Sequence, residues 1–296
     1  MTYPKISELK NIVPNWNTAD YFADAALNFH SLWDFQRDKK LYAAGFYAVK
    51  ETTDAMRQGT QFHQIALEGE DVFHQHNAIW IPPVNEKTGK PYGADTKAYA
   101  AAREEWEKEN PGKTGYTEEE YQTYSAMLDA LGNHPYAGGY LFPADEGAEY
   151  ASELKFKGEY APGWFAKGSI DRYDPEIGIL DLKTCAEIER FDGYETFSKT
   201  CIYGGYIEQL AFYQIMFSEL IDPRGNQGEY IPVTIIGIEK KEPYRVAVCQ
   251  PDEETQEAAR ERIRALLVEY AEAVTTQNFP SKYDEIITLH KYYKES

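Results

Sequence analysis

The chain has 296 residues, of which 43% are hydrophobic, so it can bury a core as one domain spanning residues 1–296. No stretch approaches the about 18 to 20 apolar residues of a membrane span, and the N-terminus lacks a signal core, so we expect a cytoplasmic protein. Three widely spaced cysteines exclude a four-cysteine metal site and do not indicate a disulfide framework.

The formal net charge of -19 disfavours a nucleic-acid ligand, because proteins that bind nucleic acids usually carry a basic surface. Much of the acid lies in runs that are typical of solvated helix faces, such as 103–109 and 252–261. A carboxylate cluster for divalent cations would also add acidic residues, and bound cations would reverse the local charge. The net charge therefore weakens a nucleic-acid function without excluding it.

The first predicted elements are helices. Residues 1–83 show apolar and aromatic positions at helical spacing. Residues 84–124 are polar, with glycine and proline around one charged helix, and are predicted to be a peripheral insertion. A helix at about 118–131 then leads into the core, which is predicted over 125–296.

Strands dominate the next part of the chain. Apolar runs at Ser152–Lys157, Trp164–Tyr173 and Ile177–Thr184 predict a meander, with a turn at Asp174-Pro175-Glu176 between the last two.

A helix over 206–220, two strands over 232–239 and 244–249, and a helix over 253–274 are predicted to complete the chain. This order predicts an α/β fold with a central mixed β-sheet flanked by helices.

Two carboxylates and a lysine are predicted to meet on neighbouring strands. Because alternate side chains of a strand share a face, Asp181 and Lys183 project together. If the preceding strand pairs with this one, Asp171 joins them and supplies the oxygen ligands that Mg²⁺ prefers. Such a site suits phosphodiester hydrolysis, in which a metal neutralises charge and activates water. A surface ion pair is the alternative for the Asp-x-Lys spacing alone.

Two further groups can extend this site. Gln209 and Tyr213 lie four residues apart on the predicted helix and therefore face the same way. His63 lies in a predicted helix far upstream, where an ordinary helix histidine is the alternative unless the fold brings it to the carboxylates.

Taken together, these motifs resemble the RecB-like branch of the PD-(D/E)xK nucleases, and within it the RecE-type (exonuclease VIII) family of phages and prophages. The resemblance implies a restriction-endonuclease-like core and covers roughly residues 30 to 280. The matching positions are Gly59-Thr60-x-x-His63, Glu153, Gly168-x-x-Asp171, Asp181-x-Lys183-Thr184 and Gln209-x-x-x-Tyr213.

The resemblance implies a role for each matching residue. His63, Asp171 and Asp181 match side-chain metal ligands, and the Leu182 carbonyl would be a further ligand. Lys183 matches the catalytic lysine.

Three other residues complete the implied site. Glu153 matches an acidic position that helps the metal site, with Glu149 as the alternative. Gln209 and Tyr213 match a helix motif that supports the active site and contacts DNA. From the residues alone, Lys167, Arg190 and Lys199 are candidates for a basic DNA track.

The implied function is a Mg²⁺-dependent exonuclease, with Mn²⁺ as a substitute, that degrades one strand of linear double-stranded DNA from 5′ to 3′. The single-stranded tail would serve recombination, with a single-strand annealing recombinase as partner, and the homo-oligomer could be a ring. One alternative is another RecB-like nuclease, either an endonuclease or the CRISPR-associated type, whose iron–sulfur cysteines are absent. The other is a non-catalytic DNA-binding module, which the intact Asp171, Asp181 and Lys183 disfavour.

Overall fold

A computed structural model describes residues 3–47, 53–145, 147–188, 205–225, 230–281 and 283–284. Its centre is a five-stranded mixed sheet, as predicted. In chain order its strands are β5 Ala151–Ala161, β6 Trp164–Asp174, β7 Gly178–Cys185, β8 Val233–Glu239 and β9 Val246–Cys249. Neighbours in this order are hydrogen bonded; β7 and β8 run parallel, and the other pairs are antiparallel.

Short helices precede the sheet. They are α1 Thr18–Ala23, α2 Phe29–Arg37, α3 Lys39–Ala43, α4 Asp54–His63 and α5 Glu70–His76, with a π-helical turn at Gln64–Glu68 between the last two. The N-termini of α1 to α4 are set by side chains that accept a backbone hydrogen bond three residues on, as Thr53 does from Met56 before α4. These caps explain why several helices begin where they do despite little apolar periodicity.

The segment 77–124 contributes small elements beside these helices. Strands β1 Asn77–Ile79 and β4 Thr114–Tyr116 pair in parallel, β2 Val84–Asn85 and β3 Lys90–Pro91 form a hairpin, and α6 spans Lys97–Glu109. The next helices are α7 Glu118–Asn133 and α8 Ala137–Leu141. Tyr116 and Tyr124 are buried against Phe73, so the last part of this segment packs on the helices around α5.

The sheet is covered on both faces. On one face α9 Tyr206–Met216 and α10 Glu253–Thr276 pack over a core that includes Phe156, Ile170 and Ile235. On the other face α4, α5, α7 and α8 pack over Leu180, Leu182, Ile236 and Ile238. No helix of the described ranges is long and apolar enough to cross a membrane.

The sheet opens into a fork between β6 and β7. These strands pair only where Arg172–Asp174 faces Gly178–Leu180. Beyond that point β6 continues its ladder with β5, while β7 continues its ladder with β8. The first residues past the last pair are Asp171 and Asp181, so the fold places both carboxylates where the strands separate.

Candidate active site

Asp171 lies at the opening of the fork on β6. Its Oδ2 accepts a hydrogen bond of 2.8 Å from the amide of Leu182, which lies two residues past the last β6–β7 pair. The side chain therefore replaces a ladder bond and holds the two strands at the point of divergence. Its side chain is 14% exposed, so one part of the carboxylate remains accessible.

Asp181 and Lys183 form an ion pair on β7. Strand alternation places both on one face, with Asp181 Oδ2 2.6 Å from Lys183 Nζ. Leu180 and Leu182 point into the opposite core, as predicted. Asp181 is buried, and its Oδ1 has no hydrogen-bond partner in the part of the chain that the structure describes. The Lys183 side chain, at 17% exposure, reaches the solvent side of the pair.

Glu153, on β5, lies in the site, whereas Glu149 does not. Ser169 Oγ on β6 donates a 2.8 Å hydrogen bond to Glu153 Oε2, while Glu149 Oε1 accepts from the amide of Ile6 at the surface. Glu153 has a backbone φ of 48°, in the left-handed region that residues with a side chain rarely adopt. Such strain in a strand is typical of functional positions.

His63 reaches the same carboxylates from the last residue of α4. Gly59 of this helix lies beside Thr184 of β7, since a Cβ there would be 3.5 Å from the threonine Oγ1. His63 Nδ1 is 3.6 Å from Asp171 Oδ2. Three side chains each offer one ligand atom here, from His63, Glu153 and Asp171. These atoms lie within 4.8 Å of one another, which is compact enough for a metal ion. We call these three residues the carboxylate–histidine cluster.

The acids of the site are destabilised in their charged form. Burial, followed by the charge of Asp171, raises the pKa of Glu153 to about 7. Burial also raises the pKa of Asp171 and that of Asp181, although Lys183 opposes both shifts. Burial and the charge of Lys183 lower the pKa of His63 to about 4. A neutral imidazole beside desolvated carboxylates is the arrangement that a bound cation compensates.

Lys183 keeps its charge in this environment. Burial lowers its pKa, but Asp181 and Asp171 act in the opposite direction, and the net result is a raised pKa. The ammonium can therefore donate hydrogen bonds to a bound water or a phosphoryl oxygen.

The donor set fits a divalent metal. Two carboxylates and one imidazole converge in the cluster, and the buried Oδ1 of Asp181 adds an unsatisfied oxygen nearby. A ring N–H of His63 donates a hydrogen bond to the Leu182 carbonyl, which tends to raise the pKa of His63. That carbonyl is thus beside the predicted ligands. Asp181 Oδ2 pairs with Lys183 at 2.6 Å, which leaves Asp181 Oδ1 as the oxygen that can join a metal.

Gln209 and Tyr213 lie behind the site on α9. Gln209 Nε2 donates a 3.1 Å hydrogen bond to Tyr213 Oη, and both side chains are buried. A Cβ on Gly168 would be 3.1 Å from the Tyr213 ring and 2.5 Å from the Phe156 ring, so glycine lets α9 approach β6. In this position the two residues pack against the site.

The basic DNA track predicted from the sequence is wrong at Lys167. Its side chain is buried, and Nζ donates to the backbone carbonyls of Tyr21 and Asp24. Arg190 and Lys199 lie outside the described residues. Sequence reasoning also missed Ser169, although strand alternation from Asp171 already predicts that both lie on one face.

Comparisons with known proteins found one matching family and a similar solved structure. The model of a family described as "PDDEXK-like domain of unknown function (DUF3799)" matches residues 38–291. The crystal structure of a protein named "Putative exonuclease", from Eubacterium rectale, has a TM-score of 0.56 over 94% of this chain and 94% of its own. At 15% identity this likeness shows the fold alone. The family model confirms the predicted PD-(D/E)xK core.

Among curated proteins, no sequence matches this chain. Because the family model covers most of its length, the chain belongs to the PDDEXK-like domain family.

Proposed function

We propose that this protein is a metal-dependent exodeoxyribonuclease that degrades one strand of linear double-stranded DNA. The observation that carries the proposal is the convergence of His63, Glu153, Asp171, Asp181 and Lys183 at the sheet fork. A PDDEXK-like fold and a structural neighbour named as an exonuclease support the same activity.

The proposed chemistry divides between the two sides of the fork. His63, Glu153 and Asp171 would hold Mg²⁺ or Mn²⁺, with the Leu182 carbonyl as a further ligand. A divalent ion there supplies charge neutralisation at the phosphate and acidifies water.

On the other side, Lys183 orients the attacking water and offsets negative charge on the phosphoryl oxygens. Asp181 Oδ2 holds the lysine ammonium at 2.6 Å, while Asp181 Oδ1, which has no hydrogen-bond partner among the described residues, would be a further metal ligand.

The finer properties of the proposal come from the RecE-type resemblance. They are 5′ to 3′ polarity, a single-stranded product for recombination, an annealing recombinase as partner, and a homo-oligomer that could close into a ring. The proposed setting is the host-cell cytoplasm. The end from which label is lost measures the polarity. Co-purification tests the annealing partner, and mass in solution measures the oligomeric state.

The deciding experiment compares end-labelled linear DNA with closed circular DNA, with and without Mg²⁺. We expect nucleotides from the linear substrate alone, and only with Mg²⁺ or Mn²⁺. Ca²⁺ should support binding without cleavage, because it accepts looser oxygen geometry and activates water less well. Cleavage of the circle would instead identify an endonuclease. Binding without cleavage in every metal would identify a non-catalytic module.

A further inference from the structure

An N-terminal segment crosses the β5–β6 hairpin from one edge to the other. Four backbone hydrogen bonds attach it: Val13 N–H to Lys155 O (2.9 Å), Lys157 N–H to Asn11 O (3.0 Å), Leu27 N–H to Phe165 O (2.9 Å) and Lys167 N–H to Leu27 O (2.8 Å). The first two are on the outer edge of β5, and the last two are on the β6 edge that faces the fork. We call residues 14–26, between these attachments, the strap.

Three lysines of the hairpin hold the strap in place. Lys155 Nζ donates to the carbonyl of Trp16 at 2.9 Å, and Lys157 Nζ pairs with the carboxylate of Asp24 at 2.5 Å. Lys167 Nζ donates to the carbonyls of Tyr21 and Asp24. All three ammonium groups already bind groups of the strap. They are therefore not available to bind a phosphate.

The strap lies beside the carboxylate–histidine cluster. Lys155 of β5 is paired with Ser169 of β6, whose hydroxyl donates to Glu153 of the cluster. Lys167 is two residues from Ser169 on β6 and shares its face. Burial raises the pKa of the Tyr21 phenol, and the charge of Glu153 raises it further. Tyr21 in turn adds to the effect of burial in raising the pKa of Tyr213. The phenol of Tyr21 thus lies near Glu153 of the cluster and near Tyr213 behind it.

Three aromatic rings follow one another along the strap. The Trp16 and Tyr21 ring centroids are 5.1 Å apart, and those of Tyr21 and Phe22 are 5.5 Å apart, both edge to face. Lys167 Nζ lies 4.5 Å from the centroid of the Tyr21 ring and helps to fix this ring, which is the middle one of the three. Phe22 is 72% exposed, although its neighbour is anchored in the fold. A mostly exposed ring beside an anchored neighbour can stack on a planar ligand.

We propose that Phe22 stacks on an unpaired base of the DNA strand that is being cut, and that Tyr21 holds the Phe22 ring at the edge of the site. This inference rests on the proposed nuclease function and adds a substrate class, a strand end with unpaired bases. Base stacking on aromatic side chains does not depend on sequence, because every base has a π-face. The strap also carries Asp20, whose charge would repel a phosphate backbone but not a base.

The test measures binding of a duplex with a single-stranded tail that carries 2-aminopurine, whose fluorescence is quenched when it stacks. Ca²⁺ replaces Mg²⁺ to prevent cleavage. Phe22→Ala should weaken binding of the tailed DNA by about 5- to 100-fold and abolish the quench. Phe22→Leu, which keeps apolar volume without a π-face, should also lose the quench, whereas Phe22→Trp should keep it. Phe46→Ala is the matched control, because Phe46 is 67% exposed outside the strap.

The outcomes separate this inference from the nuclease function. Thermal melting first shows that each variant folds, as expected for an exposed position. If wild type digests DNA but Phe22→Ala and Phe22→Leu bind and quench as Phe46→Ala does, the stacking inference is overturned and the nuclease remains. If wild type digests no DNA with Mg²⁺ or Mn²⁺, the nuclease function itself is overturned.

Discussion

The two sides of the sheet fork hold their carboxylates in opposite ways. On the β5–β6 side, Glu153 and Asp171 form no ion pair with a lysine or arginine among the described residues. Their partners are uncharged: the imidazole of His63, the Ser169 hydroxyl and the Leu182 amide. On the β7 side, Asp181 is paired with Lys183 at 2.6 Å. The carboxylates on both sides are desolvated. Those of the β5–β6 side therefore need a bound cation, whereas Asp181 on the β7 side already has the Lys183 ammonium as its cation. This difference predicts separate tasks, metal binding on one side and water or phosphate activation on the other.

Asp171→Asn should break the metal-binding side and have the largest effect. The amide keeps an oxygen for the Leu182 amide, so the strands stay joined, but the charge is lost. We expect both metal affinity and DNA cleavage to disappear while the melting temperature is retained. Calorimetric metal titration and nucleotide release measure this. Parental cleavage by a folded Asp171→Asn protein would contradict the assignment.

Lys183→Ala should leave metal binding on the β5–β6 side intact and impair the activation of water or phosphate on the β7 side. Lys183 is not among the cluster ligands, so metal affinity should persist, whereas turnover should fall by about 10² to 10⁴, as for one acid–base or electrostatic group. Removal of the lysine also leaves Asp181 buried without its partner, so a melting curve is needed beside the kinetics. Loss of metal binding together with turnover, in a folded protein, would show that the two sides are not separable.

Ser169→Ala sharpens the comparison within the metal-binding side. Ser169 does not belong to the cluster but orients Glu153 through a 2.8 Å hydrogen bond. Loss of such an outer partner typically lowers metal affinity or activity by about 10- to 100-fold. Glu149→Gln is the control, because this nearby carboxylate contacts Ile6 and should not affect either quantity. If Ser169→Ala and Glu149→Gln change metal affinity and activity equally, Glu153 does not belong to the proposed site.

Gly168→Ala should have the smallest effect on DNA cleavage and should mainly lower the free energy of unfolding. Its Cβ would lie 2.5 Å from Phe156 Cε1, so the core between β6 and α9 must shift. Overpacking of this kind costs about 1 to 3 kcal/mol of unfolding free energy. Urea unfolding measures the change, with Gly139→Ala as control, since a Cβ there meets nothing within 4 Å. If both glycine variants are equally stable, close packing at Gly168 is not required.

Much of the fold follows from local patterns. The meander of β5, β6 and β7, the helix α9 and the last hairpin lie within a few residues of their predicted ranges. Strand alternation alone placed Asp181 and Lys183 on one face and Leu180 and Leu182 in the core. Helix starts were harder to predict, because they depend on single capping side chains such as Thr53.

The sequence by itself determined which strand residues of β7 share a face, because side-chain alternation is a property of the strand and needs no distant partner. Only the tertiary structure decided that Glu153 and not Glu149 enters the site, that His63 arrives from α4, and that Lys167 is buried under the strap. Each of these depends on contacts between segments far apart in the chain, and the burial and charge compensation that favour them exist only once those segments have packed together.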